Sequence, residues 1–368
     1  MLDRRRFLAA AGASLGCRKR RGTGFPGYAL VATPEVQAVT AVDLTRFALA
    51  GHIRLSSAPR ALAVHPARRV AWALIPENGL VQELDVAALR PGRKLQLSRS
   101  AFAMRLAPDG ESLWVLCRDP RQLVAVDAAN FQRRARIGLP GEPRDFDLSP
   151  DGRWAAISLA AGAVVFVDLA AGRAQRPLEF GFRAAGVRFR SDSKLLLAAS
   201  ADLPILSLLE VPSGVVVVHL PLAMRAENFC FKSDGGQLFV TGSGADAVAI
   251  VYPYRSEVAE TVLAGNSPGA MAVSTAPDYL FVANAAGGDV TIMDIETRRV
   301  IALAAVGEGV NHITVTPDNQ YVLALNERSG VMAVIRIAAI VARRTRVAPL
   351  FTVVPVGPRP VAVAVCRL

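Results

Sequence analysis

Cysteine is scarce: four occur in 368 residues, at positions 17, 117, 230 and 366, and none stands in Cys-x-x-Cys or Cys-x-x-Cys-His spacing. That spacing argues against a thioredoxin-type redox pair and against covalent c-type haem attachment. Histidine is equally sparse, four residues with no two at metal-ligand spacing, so no zinc or other metal site is expected. Neither a Gly-x-Ser-x-Gly elbow nor a phosphate loop is present. Beyond the N-terminus the apolar runs are broken by proline, glycine or charge. None approaches the roughly 20 residues that a membrane-spanning helix needs. Lysine is nearly missing, four against 38 arginines, which together with the abundant alanine fits a GC-rich coding sequence.

What is present is a core. Hydrophobic residues make up 52% of the chain, with 29 glycines and 23 prolines to turn it often. The net charge of +11 is unevenly placed. Seven bases against Asp3 give +6 within residues 1–21, leaving +5 for the other 347, where it reads as scattered. With no basic stripe interleaved with aromatics, nucleic acid is not expected as a partner.

The first 17 residues, "MLDRRRFLAAAGASLGC", resemble a bacterial twin-arginine export signal: Arg4 and Arg5, then Arg6, then Phe7 and Leu8 before a small-residue apolar stretch. Such a signal implies a periplasmic or otherwise extracytoplasmic protein. Cys17 follows "SLG" and resembles the acylated cysteine of a lipoprotein box, although Ser14 stands where leucine is usual. Two readings stand: a lipid anchor at Cys17, or a free cysteine in a removed signal. Membrane contact is expected only through that anchor. Residues 18–27 read as a basic, glycine-containing spacer and residues 28–368 as one domain, expected to be monomeric. Cys117, Cys230 and Cys366 fall in different repeats and are expected to be buried thiols.

The domain repeats itself. "APDGESLW" at 107–114, "SPDGRW" at 149–154, "KSDGGQLF" at 232–239 and "TPDNQYVL" at 316–323 each place a tight turn before an apolar strand. Those strands start at 28, 70, 113, 154, 195, 238, 280 and 321, in steps of 41 to 43 residues. Four antiparallel strands fit one period, the signature of a β-propeller blade. The predicted fold is therefore all-β, a propeller of about eight four-stranded blades, with seven as the alternative. Its ring is predicted to close by pairing Val361 to Cys366 beside Tyr28 to Ala32, which hides both free edges. The least regular repeats are expected at 201–214 and at 337–349.

"LFVANAAGGDVTIMDIETRRVIALAAVG", residues 280–307, resembles the YVTN-type bacterial propeller repeat, with Val282, Ala283 and Asn284 at the end of the name-giving tetrapeptide and Asp294 closing the third strand. The resemblance covers all the chain after residue 27, is close only in this blade and in residues 141–172, and certifies fold rather than function. Related propellers include the haem domains of cytochrome-cd-type nitrite reductases and, with seven blades, lactonases of the phosphogluconolactonase type.

Propellers bind ligands at the loops around their central channel. Aligning the approach to each innermost strand puts Arg60, Phe102, Arg144, Ala185, Glu227, Gly269, Asn311 and Val361 in one register. The next position holds Ala61, Ala103, Asp145, Gly186, Asn228, Ala270, His312 and Ala362. Arg60, Arg144, Asp145, Arg225, Asn228 and Asn311 are the candidate ligand-binding residues, for an anionic or polar ligand. His312 and Glu227 are the candidate catalytic residues, His312 also as a haem ligand beside arginines for the propionates. The competing reading has the arginines merely paired with Asp145 and Glu227. The aspartates at 151, 192, 234, 278 and 318 read as turn formers.

Two functions follow. One is a non-catalytic binding or scaffold module that presents its channel face to a protein, cell-wall or small-molecule partner, without a cofactor. The other is a propeller enzyme or cofactor-binding protein, haem-type or lactonase-like, using the channel mouth.

Overall fold

A computed structural model describes residues 24–341 and 349–368. The stretch read as an export signal, Cys17 and most of the expected spacer lie outside the described residues. The strands assemble into eight four-stranded antiparallel sheets. Blade 1 takes its three outer strands from Gly27–Thr33, Ala38–Asp43 and Ala48–Arg54. The others follow in order, from blade 2 (61–96), through blades 3 (100–138), 4 (143–174), 5 (184–221), 6 (225–263) and 7 (268–305), to blade 8 (310–355).

The middle strands explain the unbroken apolar runs in the sequence. Trp154–Leu159 and Tyr279–Asn284 are buried at every position, because a blade packs against a neighbour on both faces. The core is accordingly divided into eight clusters, each shared by two adjacent blades. Eight sheets in an open stack would have seven interfaces. The eighth joins blade 8 to blade 1, where Leu323, Val334 and Val354 meet Ala29, Val42 and Leu44.

Closure is by the predicted strand. Ala362–Arg367 is the innermost strand of blade 1, with Tyr28 opposite Cys366 and the register running to Ala32 opposite Ala362. The Val361 N–H adds a bond to the Ala32 carbonyl at 3.0 Å. Both ends of the domain are thereby held in one sheet.

The repeated Pro-Asp-Gly turns have one geometry. The N–H groups of Gly110, Gly152, Gly235 and Asn319 donate back three residues to Ala107, Ser149, Lys232 and Thr316. Each donor has positive φ, between 55° and 74°, which favours glycine or asparagine there. Side chains brace the turn: Ser149 Oγ donates to Asp151 at 2.5 Å and accepts from the Trp154 N–H at 2.8 Å, and Thr316 makes the same two contacts with Asp318 and Tyr321. These aspartates are turn formers, as their spacing predicts.

Three details differ from the sequence reading. The irregular outer strand belongs to blade 4, where Arg173–Ala174 is two residues long, while blade 5 is complete. The extra residues of blade 8 begin with a short helix, Ile337–Val341. His65, whose position in the sequence reads as a strand face, lies instead in a turn, where its Nδ1 accepts the N–H groups of Ala67 and Arg68. Cys117, Cys230 and Cys366 are free thiols, in blades 3, 6 and 1. Burial raises all three, Cys230 to about 12, so they are poor nucleophiles.

Candidate functional site

The innermost strands run side by side around the axis, each touching the next. One face of the ring carries the loops that link blades; the other carries the Asp-Gly turns. At the loop face the ladder slips in six of the eight inner strands. Phe102, Arg144, Glu227 and Asn311 are single bulged residues, and Ala185 with Gly186 and Gly269 with Ala270 replace one residue by two. A bulge leaves its residue unpaired and re-aims the side chain. The register aligned from sequence is thus the bulge position itself. Blades 1 and 2 lack it, and Arg60 bonds regularly through its N–H to Leu74 at 2.9 Å.

Arg60, Arg144 and Arg225 are exposed at this face, and none has a carboxylate within salt-bridge distance among the described residues. Arg225 Nε donates to Ser243 Oγ at 3.3 Å, and that hydroxyl donates to Glu227 at 2.6 Å. Nearby, Arg183 holds Asp202 through two bonds of 2.8 and 2.5 Å. Those bonds, then the charges of Arg183, Arg144 and Arg225, hold the Asp202 carboxyl below the usual carboxylate range. Arg183 alone pairs with this carboxylate; Arg144 and Arg225 act on it through their charge from beyond salt-bridge distance.

The expected pairing of Arg144 with Asp145 does not occur. Asp145 points along the channel wall, where it accepts from Arg188 Nη1 at 2.6 Å and the Val187 N–H at 3.2 Å. Arg105 lies 3.9 Å from Asp145 and 3.6 Å from Asp147. The guanidinium of Arg105 covers the Phe146 ring at 5.6 Å and that of Arg188 covers Phe229 at 5.3 Å. These four charges span blades 3, 4 and 5 and keep 18–34% of their side-chain surface accessible. Burial pushes Asp147 up, against the pull of Arg105, Arg188 and the Phe189 N–H, and burial lowers Arg105. Asp147, Arg105 and Arg188 escaped the sequence reading although each lies two residues beyond an aligned position. The period-2 alternation of a strand supplied that signal.

His312 lies on the inner strand of blade 8, half-buried and without a hydrogen-bond partner among the described residues. Burial lowers its pKa, so the neutral ring with a free lone pair is favoured near pH 7. Glu227, in blade 6, is separated from it by blade 7; the structure does not bring the two catalytic candidates together. Asn228 is half-buried on the same strand as Glu227. Asn311 Nδ2 donates to Glu327 at 3.1 Å and to the Pro360 carbonyl at 3.3 Å, while its Oδ1 has no partner. It shares a cavity of about 670 Å³ with Ser267, Glu327, Arg328 and Arg359. No cluster of three metal-ligating side chains occurs among the described residues.

No family model matches the chain. Over 112 residues it is 28% identical to the seven-bladed β-propeller protein Rv1057 of Mycobacterium tuberculosis, a stretch covering 29% of this chain and 28% of that protein. Among solved structures it is similar to the dihydro-haem d1 dehydrogenase NirN in complex with DHE, with a TM-score of 0.75 and 16% identity over 95% of this chain and 78% of that one. It is also similar to Kuenenia stuttgartiensis hydrazine synthase, with a TM-score of 0.57 and 17% identity over 87% of this chain and 98% of the other. A functionally unknown protein from Desulfotomaculum acetoxidans gives a TM-score of 0.60 at 12% identity, over 93% and 99% of the two chains. At these identities the solved structures establish a shared fold.

Proposed function

We propose that this β-propeller protein is a non-catalytic binding module that takes a carboxylate-bearing ligand or partner segment at the loop face of its channel. The supporting observation is that Arg60, Arg144 and Arg225 stand there without ion-pair partners, Arg144 and Arg225 beside the already paired Asp202. A free guanidinium offers a forked set of donors that matches a carboxylate in two parallel bonds. Exposure keeps each contact modest, so the ligand needs several acidic groups or apolar surface as well. Export, as the leader implies, would place this face outside the cytoplasm.

Calorimetric titration with citrate and with a short acidic peptide tests the reading. Binding is expected to weaken at least tenfold in Arg144→Gln with Arg225→Gln. Equal binding by the double variant, or none by the unaltered protein, overturns it.

One observation favours a second reading, a haem-type cofactor protein: the His312 side chain, on the inner strand of blade 8, has no hydrogen-bond partner among the described residues, and burial lowers its pKa. If a haem seats there, the imidazole would be its axial ligand and the loop-face arginines would hold its propionates. Titration with haem separates the readings. A Soret shift that disappears in His312→Ala would replace the first proposal with the second.

A further inference from the structure

Two blades carry the same histidine pair away from the channel. In blade 1, His52 of the outermost strand stands opposite Thr40, and in blade 5 His219 stands opposite Ser207. Both hydroxyl residues are fully buried, and the imidazoles meet them through Nδ1 at 3.0 and 2.7 Å. Thr40 Oγ1 gives its own proton to the Val356 carbonyl at 2.9 Å, so Nδ1 of His52 is the donor in its pair. In the neutral ring Nε2 is left as an acceptor, and it has no partner among the described residues.

What covers the two histidines differs. In blade 5 the link arriving from blade 4 sets Phe182 edge-on to His219, with ring centroids 5.8 Å apart and planes at 85°. Phe182 lies three residues before Ala185; three residues before Val361, the matching position of blade 1, lies Pro358. Gly181 and Gly357, immediately before them, both have positive φ. The proline is too short to take the place of the phenyl ring. A cavity of about 450 Å³ stands there instead, bordered by Val36, Ala38, His52, Arg54, Leu55 and Pro358. Two residues beyond the histidine, on the same strand face, blade 5 has Pro221 and blade 1 has Arg54. Arg54 is exposed and makes no hydrogen bond, ion pair or ring contact among the described residues. The cavity thus joins apolar walls to one acceptor and one forked cation, at the seam where the last blade meets the first.

We propose that this seam pocket binds an aromatic carboxylate that carries a ring hydroxyl. The ring takes the place that Phe182 fills in blade 5, the carboxylate accepts from the Arg54 guanidinium, and the hydroxyl donates to His52 Nε2. Blade 5 supplies the precedent for the ring, edge-on to an imidazole that is held in the same way. The pocket uses none of Arg60, Arg144 and Arg225, so it and the loop-face site can fail independently.

The experiment is a ligand-observed NMR titration of the full chain with 4-hydroxyphenylacetate, phenylacetate and acetate. Because His52 and Arg54 are exposed, a dissociation constant on the order of 1 mM is expected for 4-hydroxyphenylacetate. Phenylacetate should bind several-fold more weakly and acetate not measurably. Arg54→Gln should weaken binding about tenfold. Pro358→Phe, which supplies the missing ring from the chain itself, should abolish it, and circular dichroism melts check that both variants fold. Arg144→Gln with Arg225→Gln should leave it unchanged. No binding by the unaltered protein overturns the proposal, as does equal binding of acetate or equal binding by either the Arg54 or the Pro358 variant. Equal affinity for phenylacetate overturns the role given to Nε2, and loss of binding in the Arg144 and Arg225 double variant overturns the pocket in favour of the loop face.

Discussion

Asp127 shows how little of this protein's acidic chemistry is free for function. Its Oδ1 accepts the N–H groups of Ala129 and Asn130 at 2.8 and 2.9 Å, where the third strand of blade 3 turns into the fourth. Asp85, Asp168 and Asp294 each accept the N–H three residues on at the matching turns of blades 2, 4 and 7. Those backbone bonds, Asn130 first, hold the Asp127 carboxyl below its ordinary value. Its contribution to stability is therefore complete above the unfolded pKa and is lost as pH falls through the lower folded one. Asp127→Ala should cost about 1–2 kcal/mol at neutral pH in urea unfolding, and the deficit should shrink in acid.

His312 carries the opposite liability. Its pKa is lowered by burial from 6.5, so the unfolded chain takes up a proton first as the solution is acidified. Stability should fall from about pH 6.5 downward, and His312→Gln should flatten that fall in thermal melts at pH 7 and 5. An unchanged pH slope in the variant would mean that the ring is more freely solvated than its burial implies.

At the scale of the element, the inner strand of blade 4 joins fold and site. Phe146 is fully buried between blades 3 and 4, while its neighbours Asp145 and Asp147 turn to the channel and Arg144 leaves the ladder as the bulge. Phe146→Ala should destabilise by about 3–5 kcal/mol in urea unfolding and loosen the platform beneath Arg105. The alternation that produces this arrangement was readable, since "DFDLSPDG" shows polar and apolar residues taking turns. The partners were not. Nothing local indicates that Asp145 takes Arg188, 43 residues on, rather than the adjacent Arg144, because that pairing depends on how adjacent blades meet at the axis. The closing strand is legible, by contrast, because it rests on a count of strands, which sequence supplies. A chain ending at Pro360 should lose cooperative unfolding and associate through the bared edge of Gly27–Thr33, which scattering would detect.

For the whole molecule, periodicity carried the architecture, because steps of 41 to 43 residues admit one supersecondary unit each. The location of charge did not follow from that count. The +5 that reads as dispersed along 347 residues falls within residues 61–138, and the ring makes that stretch two neighbouring blades. A circular array makes each blade a fixed sector, so composition that varies slowly along the chain becomes a compass direction on the surface.

The clasp between Tyr28 and Cys366 has a final consequence. With the Leu368 N–H bonded to the Pro26 carbonyl at 3.2 Å, start and finish share one seam, and the connectivity has become a necklace whose opening is arbitrary. Joining Leu368 to Gly24 by a short linker and cutting instead at the exposed Gly172 turn should return the same ring.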